Sequence, residues 1–97
     1  MTSWPIYWKS NMEVAYSKDF KKRFAKLLAK VQQQFAERLS LYLDNPQHAL
    51  LHVHGLNGSF TGYQSFNVNA DLRVIFTIRD NGKTLYLDII GTHSQLY

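Results

Sequence analysis

Ninety-seven residues, 45% of them hydrophobic, with no cysteine and a formal net charge of +4, suit one compact domain held by packing alone. The absent cysteines exclude a disulfide framework and a thiolate zinc site, and a reducing cytoplasm is the economical expectation. No run approaches the ~20 apolar residues of a membrane span, and the N-terminus lacks a basic start followed by an apolar core, so a cytoplasmic protein without a membrane partner is expected.

Residues 1–11 carry Trp4, Pro5, Ile6, Tyr7 and Trp8 without helical or strand periodicity. They are expected to form an N-terminal extension, partly disordered unless the tryptophans find an apolar groove, before a single domain at 12–97 that opens on a second candidate start, Met12. Residues 12–16 suit a short strand. Ser17 then reads as a helix N-cap with Asp19 in the first turn, where a carboxylate meets the positive end of the helix dipole. Phe20, Phe24, Leu27, Leu28, Val31, Phe35, Leu39 and Tyr42 recur at three- and four-residue spacing, a helical stripe facing a core. No Gly or Pro interrupts residues 17–43, so periodicity permits one helix of ~40 Å or, with a break near 28–30, two antiparallel helices that bury the stripe more compactly. Asp44-Asn45-Pro46 ends the helical region. Most of the excess positive charge sits on its first part, at Lys18, Lys21, Lys22, Arg23, Lys26 and Lys30. Such a block either attracts polyanions such as RNA or is a solvated helix face.

Residues 47–60 are irregular and hold His48, His52 and His54. Were 51–54 extended, His52 and His54 would point the same way. With no third ligand nearby, surface or acid–base histidines are favoured over a metal pair, and no metal or cofactor is expected. Three strands follow, at 62–68, 72–79 and 84–90, the first two flanking a tight turn at Asn69-Ala70-Asp71. In the second, Leu72, Val74, Phe76 and Ile78 share one face while Arg73, Ile75, Thr77 and Arg79 share the other. Asn81-Gly82 between two β-rich runs is the strongest hairpin signal, since a type I′ turn needs positive φ at both central residues. The chain closes on a short polar tail with His93 and Tyr97. The expected architecture is α+β: an N-terminal strand, two antiparallel helices, then a three-stranded antiparallel sheet. Helices cover one sheet face; the other, carrying Arg73 and Asp88, stays open to a ligand.

The order of these signals resembles the RelE/YafQ superfamily of bacterial toxin–antitoxin toxins. The matching segments are Tyr16-Ser-Lys-Asp-Phe-Lys-Lys22, His54-Gly-Leu-Asn-Gly58, Thr61-Gly-Tyr-Gln-Ser65, Asn69-Ala-Asp-Leu-Arg-Val-Ile75 and Gly91-Thr-His-Ser-Gln-Leu-Tyr97. The resemblance implies the RelE-like fold, with its two antiparallel helices on a small sheet. It also implies a ribosome-dependent mRNA endoribonuclease, metal-independent, inhibiting translation and silenced by a cognate antitoxin. In such enzymes a 2′-hydroxyl attacks the adjacent phosphate to leave a 2′,3′-cyclic phosphate and a 5′-hydroxyl. Histidine, with an ordinary pKa of ~6.5, suits the base and acid roles at neutral pH.

Carried over by position, His54 and Asp71 match the proton-transfer side of the family's site, His93 matches its general acid, and Tyr97 matches an aromatic that stacks on or orients a base. Arg73 is the candidate phosphate contact, with Arg79 a second, and Lys18, Lys21, Lys22, Arg23 and Lys26 form the candidate RNA-binding cluster. Competing structural roles are a loop cap for His54, an Asx-type turn bond for Asp71 and a sheet-edge cover for Tyr97. The sequence departs from the family at Gln64, where arginine is usual, and from close YafQ relatives at Asn67 and Ile89, where they carry histidine and a basic residue. Those losses keep a second reading open: a non-catalytic or gyrase-targeting toxin on the same scaffold, neutralised by its antitoxin.

Overall fold

Two-residue periodicity in the C-terminal half builds a meander of β3 (Gln64–Asn67), β4 (Leu72–Arg79) and β5 (Thr84–Thr92). The computed structural model describes residues 12–97, so the expected extension at 1–11 lies outside the described residues. The β4–β5 turn takes the form its Asn-Gly pair predicts. Asn81 and Gly82 adopt φ of 55° and 86°, and the Lys83 N–H donates to the Asp80 carbonyl over 3.2 Å. Two further strands complete a five-stranded sheet in the order β1-β5-β4-β3-β2. β1 (Glu13–Tyr16) runs parallel to β5, and the two-residue β2 (His54–Gly55) pairs antiparallel with β3.

The register between β4 and β5 contains one irregularity that sets the whole site. Phe76 faces Leu87 but Ile75 faces Ile89, so Asp88 is an extra residue with no partner on β4. This β-bulge shifts alternation by one. Leu85 and Leu87 point into the core, and after the bulge Ile90 does so too, at 1% exposure. Asp88, expected beside Arg73 on the open face, is therefore the residue that resets the strand. Ser17 fastens the bulge from β1: its N–H donates to the Leu87 carbonyl over 3.0 Å and its hydroxyl donates to the Asp88 carbonyl. The same hydroxyl accepts from the Phe20 N–H over 2.9 Å, the N-cap expected of this serine.

The stripe left open as one helix or two is two, α1 (Lys18–Ala25) and α2 (Ala29–Asp44). A single ~40 Å helix would exceed the molecule's longest extent of 36 Å. The break has tertiary causes rather than a Gly or Pro. Phe35 packs on Phe20 and Phe24 with ring centroids 5.4 and 5.1 Å apart, which requires the second helix to fold back on the first. The Gln32 amide donates to the Phe24 carbonyl over 3.0 Å, beside the bond that carbonyl accepts from the Leu27 N–H, and so ties α2 to the end of α1. Phe20, Phe24, Phe35, Leu39 and Tyr42 are buried against the sheet, as the stripe predicts. Leu28 is not: it falls in the break and is 76% exposed.

Leu28 also occupies the N-cap of α2 with extended backbone and no capping side chain. Leu28→Ser supplies the missing acceptor and is expected to stabilise the fold by about 1 kcal/mol, read as a higher midpoint in thermal or urea unfolding. An unchanged or lower midpoint contradicts it.

Candidate active site

On the sheet face away from the helices, cross-strand pairing sets side chains into two adjacent rows. One row runs His54, Ser65, Ile75, Ile89; the next, two residues along, runs Asn67, Arg73, Gly91. Neighbours within a row are about 5 Å apart and the rows about 7 Å apart. The bulge is what brings Ile89 and Gly91 onto this face.

Gly91 matters here because it has no side chain. A Cβ at this position would lie 3.1 Å from both Gln95 Oε1 and Leu96 Cδ2. The bare backbone lets the short polar tail fold back as a single helical turn, α3 (His93–Leu96), with Leu96 buried at 9% exposure. A reciprocal capping box starts that turn. The Gln95 N–H donates to Thr92 Oγ1 over 3.3 Å and the Thr92 N–H donates to Gln95 Oε1 over 2.8 Å. The Thr-x-x-Gln spacing at 92–95 was the sequence signal for it. Gly91→Val is expected to lift α3 and raise solvent exposure of Tyr97, seen as increased tail backbone dynamics by NMR and faster exchange of the Tyr97 amide. An unchanged tail would show that α3 does not depend on this contact.

The turn carries His93 and Tyr97, whose rings lie 4.8 Å apart. Tyr97 also meets Phe60 edge-on at 6.1 Å, and Phe60 meets Tyr63 at 6.2 Å. Phe60 and Tyr63 were not among the expected site residues. Their signal was two aromatics either side of Gly62, which takes φ of 92° in the turn between them. Tyr97 is 51% exposed, so its ring is held at one edge and open at the other.

His54 is oriented by the residue two before it. His52 is not extended as the His-x-His reading supposed: it ends a 3-10 turn at Ala49–Leu51 in the left-handed region, with φ 48° and ψ 46°. That conformation presents its carbonyl to His54 Nδ1 at 2.7 Å. A carbonyl only accepts, so Nδ1 carries the hydrogen, and in the neutral ring Nε2 keeps its lone pair. Nε2 lies 3.5 Å from the hydroxyl of Ser65, which is fully buried. Among the described residues no three His, Cys, Asp or Glu side chains gather as a metal site.

Arg73 is half-buried. Its Nη1 donates to Asn67 Oδ1 over 2.9 Å, while its Nε is buried with no hydrogen-bond partner among the described residues. An unpaired buried guanidinium N–H costs free energy unless a ligand supplies the acceptor. Asn67 is thus committed to positioning this arginine. Ile89 leaves the first row apolar at its far end, and Gln64 is exposed.

Asp71 and His93 flank the terminal cross-strand pair of Leu72 with Thr92, so the two lie at the same end of the sheet. The turn bond that competed for Asp71 is made by Asn69, whose Oδ1 accepts from the N–H groups of Asp71 and Leu72 at 3.0 and 2.8 Å. The Asp71 carboxylate is exposed and makes no hydrogen bond or ion pair to a described residue. Arg79 lies at the opposite end of β4, about 20 Å along the strand from Arg73, with its guanidinium 3.9 Å above the Tyr86 ring and Nε bonded to Thr77. Lys18, Lys21, Lys22, Arg23 and Lys26 belong to α1 and its C-cap, on the helical side of the sheet, and Arg23 is paired with Asp19 at 2.9 Å. The fold therefore separates the basic helix from the face that holds His54 and Arg73.

Two antiparallel helices on one face of a five-stranded sheet are an arrangement this chain shares with solved bacterial toxins. Crystal structures of E. coli YafQ superpose with a TM-score of 0.71 at 27% identity, covering 89% of this chain and 98% of that one. YafQ in the E. coli DinJ–YafQ toxin–antitoxin complex gives 0.70 at 27% identity, with 90% and 98% covered. A YoeB/ParE toxin from Agrobacterium tumefaciens shares the fold at 0.72 and 16% identity, with 84% and 99% covered. The model of the YafQ family, bacterial toxins of type II toxin–antitoxin systems, matches residues 9–97, and the chain belongs to that family. No curated protein sequence matches it significantly. Among the described residues no helix is long and apolar enough to cross a membrane.

Proposed function

We propose that this toxin is a ribosome-dependent mRNA endoribonuclease acting in the cytoplasm and neutralised by a cognate antitoxin. The observation that carries the reading is one open sheet face on which an imidazole, its Nε2 lone pair beside the Ser65 hydroxyl, and an under-satisfied guanidinium sit in adjacent rows, with a histidine–tyrosine turn folded back beside them.

His54 Nε2 accepts the proton of the 2′-hydroxyl as that oxygen bonds to phosphorus. Arg73, held by Asn67 and with Nε still lacking an acceptor, donates to the phosphorane oxygens as negative charge accumulates there. The bond from phosphorus to the 5′-oxygen then breaks, and His93 donates the proton that the leaving oxygen needs. The products are a 2′,3′-cyclic phosphate and a 5′-hydroxyl. Tyr97 stacks on a base through its exposed side, while Phe60 holds its other edge. Asp71, a free carboxylate at the His93 end, assists proton transfer there. The lysines of α1, across the sheet from this chemistry, contact ribosomal RNA rather than the scissile strand, and Arg79 is too distant to share a phosphate with Arg73.

The test is induction in a bacterial host followed by mapping of mRNA 5′ ends. In-frame cleavage with translation arrest is expected. Intact mRNA with trapped gyrase–DNA cleavage complexes would replace this reading with the gyrase one.

A further inference from the structure

A cavity of about 210 Å³ opens where α2, the 3-10 turn and the β3–β4 turn meet. Asn69 builds its frame. While its Oδ1 holds the turn, its Nδ2 donates to Gln34 Oε1 over 3.1 Å and ties the turn to α2. Gln34 and Arg38 are four residues apart and share a helix face, so this bond also fixes the stretch of α2 that brings Arg38 to the cavity wall.

The lining has donors without acceptors. The Arg38 guanidinium and the His52 ring make no hydrogen bond or ion pair to any described residue. Asn67 is oriented without ambiguity, because arginine only donates and so must face Oδ1. Its two Nδ2 hydrogens therefore remain without an acceptor among the described residues. No carboxylate lines the cavity; Asn69 is committed to its turn and to Gln34, and Leu50, Val68 and Ala70 give the wall its apolar part, Leu50 being 56% exposed. Unpaired donors beside an apolar wall suit an anion that carries a less polar body. Asn67 belongs to both sites, with one end on Arg73 and its residue in the cavity wall.

We propose that this cavity is a second nucleotide subsite for the RNA, in which Arg38 and Asn67 hold a phosphate next to the one at Arg73 while Leu50 takes the attached sugar. The proposal rests on the ribonuclease reading for the identity of the strand. It assigns Arg38 to substrate binding and gives it no part in the chemical step.

The test uses the full chain and a 2′-O-methylated RNA tetranucleotide, which lacks the attacking hydroxyl. NMR titration is expected to move the signals of Arg38, Leu50, His52 and Asn67. Arg38→Ala should weaken binding about tenfold and reduce the slope of log affinity against log salt by about 1. Arg38→Gln, which keeps the aliphatic stem and its packing, should do the same if Arg38→Ala proves unstable. On programmed ribosomes either variant should raise the half-saturating toxin concentration and leave the single-turnover rate at saturation unchanged. Wild-type affinity and salt slope in both variants would overturn the subsite even if mRNA is still cut. Loss of affinity in both variants, in a protein that cuts no mRNA, would keep the subsite and remove the ribonuclease reading. Shifts at these residues with an acidic Leu-Glu peptide but not with the RNA would assign the cavity to a protein partner and overturn the proposal.

Discussion

His93→Gln should slow single-turnover mRNA cleavage on the ribosome by about 10²–10⁴-fold, the range that removal of a positioned general acid produces. Glutamine can hydrogen-bond but cannot deliver a proton to the leaving 5′-oxygen. The side chain of His93 is exposed and takes no part in the Thr92–Gln95 capping box, so stability should stay within about 0.5 kcal/mol of wild type. A cleavage rate within about threefold of wild type would remove His93 from the chemistry, since even the weakest general-acid contribution exceeds that.

Arg73→Ala should cost a comparable amount, about 10²–10³-fold in the rate at saturation, by removing charge stabilisation that no neighbouring cation replaces. Gln64 and Ile89 carry no charge, and Arg79 is stacked on Tyr86 at the far end of the strand. Lysine should restore little. Its point charge cannot hold Asn67 and two phosphate oxygens in one plane as the guanidinium fork does. Rapid-quench measurement of all three proteins separates this from a binding effect. Recovery of wild-type rate in Arg73→Lys would show that only net charge matters there.

The α+β architecture, the β3–β5 meander, the Ser17 cap and the Asn81-Gly82 turn were legible because each rests on local periodicity or on one residue's backbone preference. The helix break was not fixed by local signals, since it depends on Phe35 meeting Phe20 and Phe24 across the fold. The second edge strand, only two residues long, was lost in an irregular stretch that also hid the left-handed His52. Within the site, the residue types could be named by resemblance. Their working relations could not: Asn67 on Arg73, Asn69 in place of Asp71 as the turn's Asx residue, and Phe60 behind Tyr97 are contacts between segments. Such contacts leave no periodic trace in a single sequence.

The unpaired Asp88 makes the proposed active face a matter of parity. Were Asp88 instead to pair regularly with Ile75, without the bulge, Ile89 would turn inward, Ile90 outward and Gly91 toward the helices. Arg73 would then face a side chain where it now faces bare backbone, and the turn bearing His93 and Tyr97 would leave from the wrong side of the sheet. A hydrophobic core could still form from Leu85, Leu87 and Ile89. The chain would count correctly for folding and incorrectly for catalysis, so a toxin disarmed in this way could still present the helical surface of the intact one.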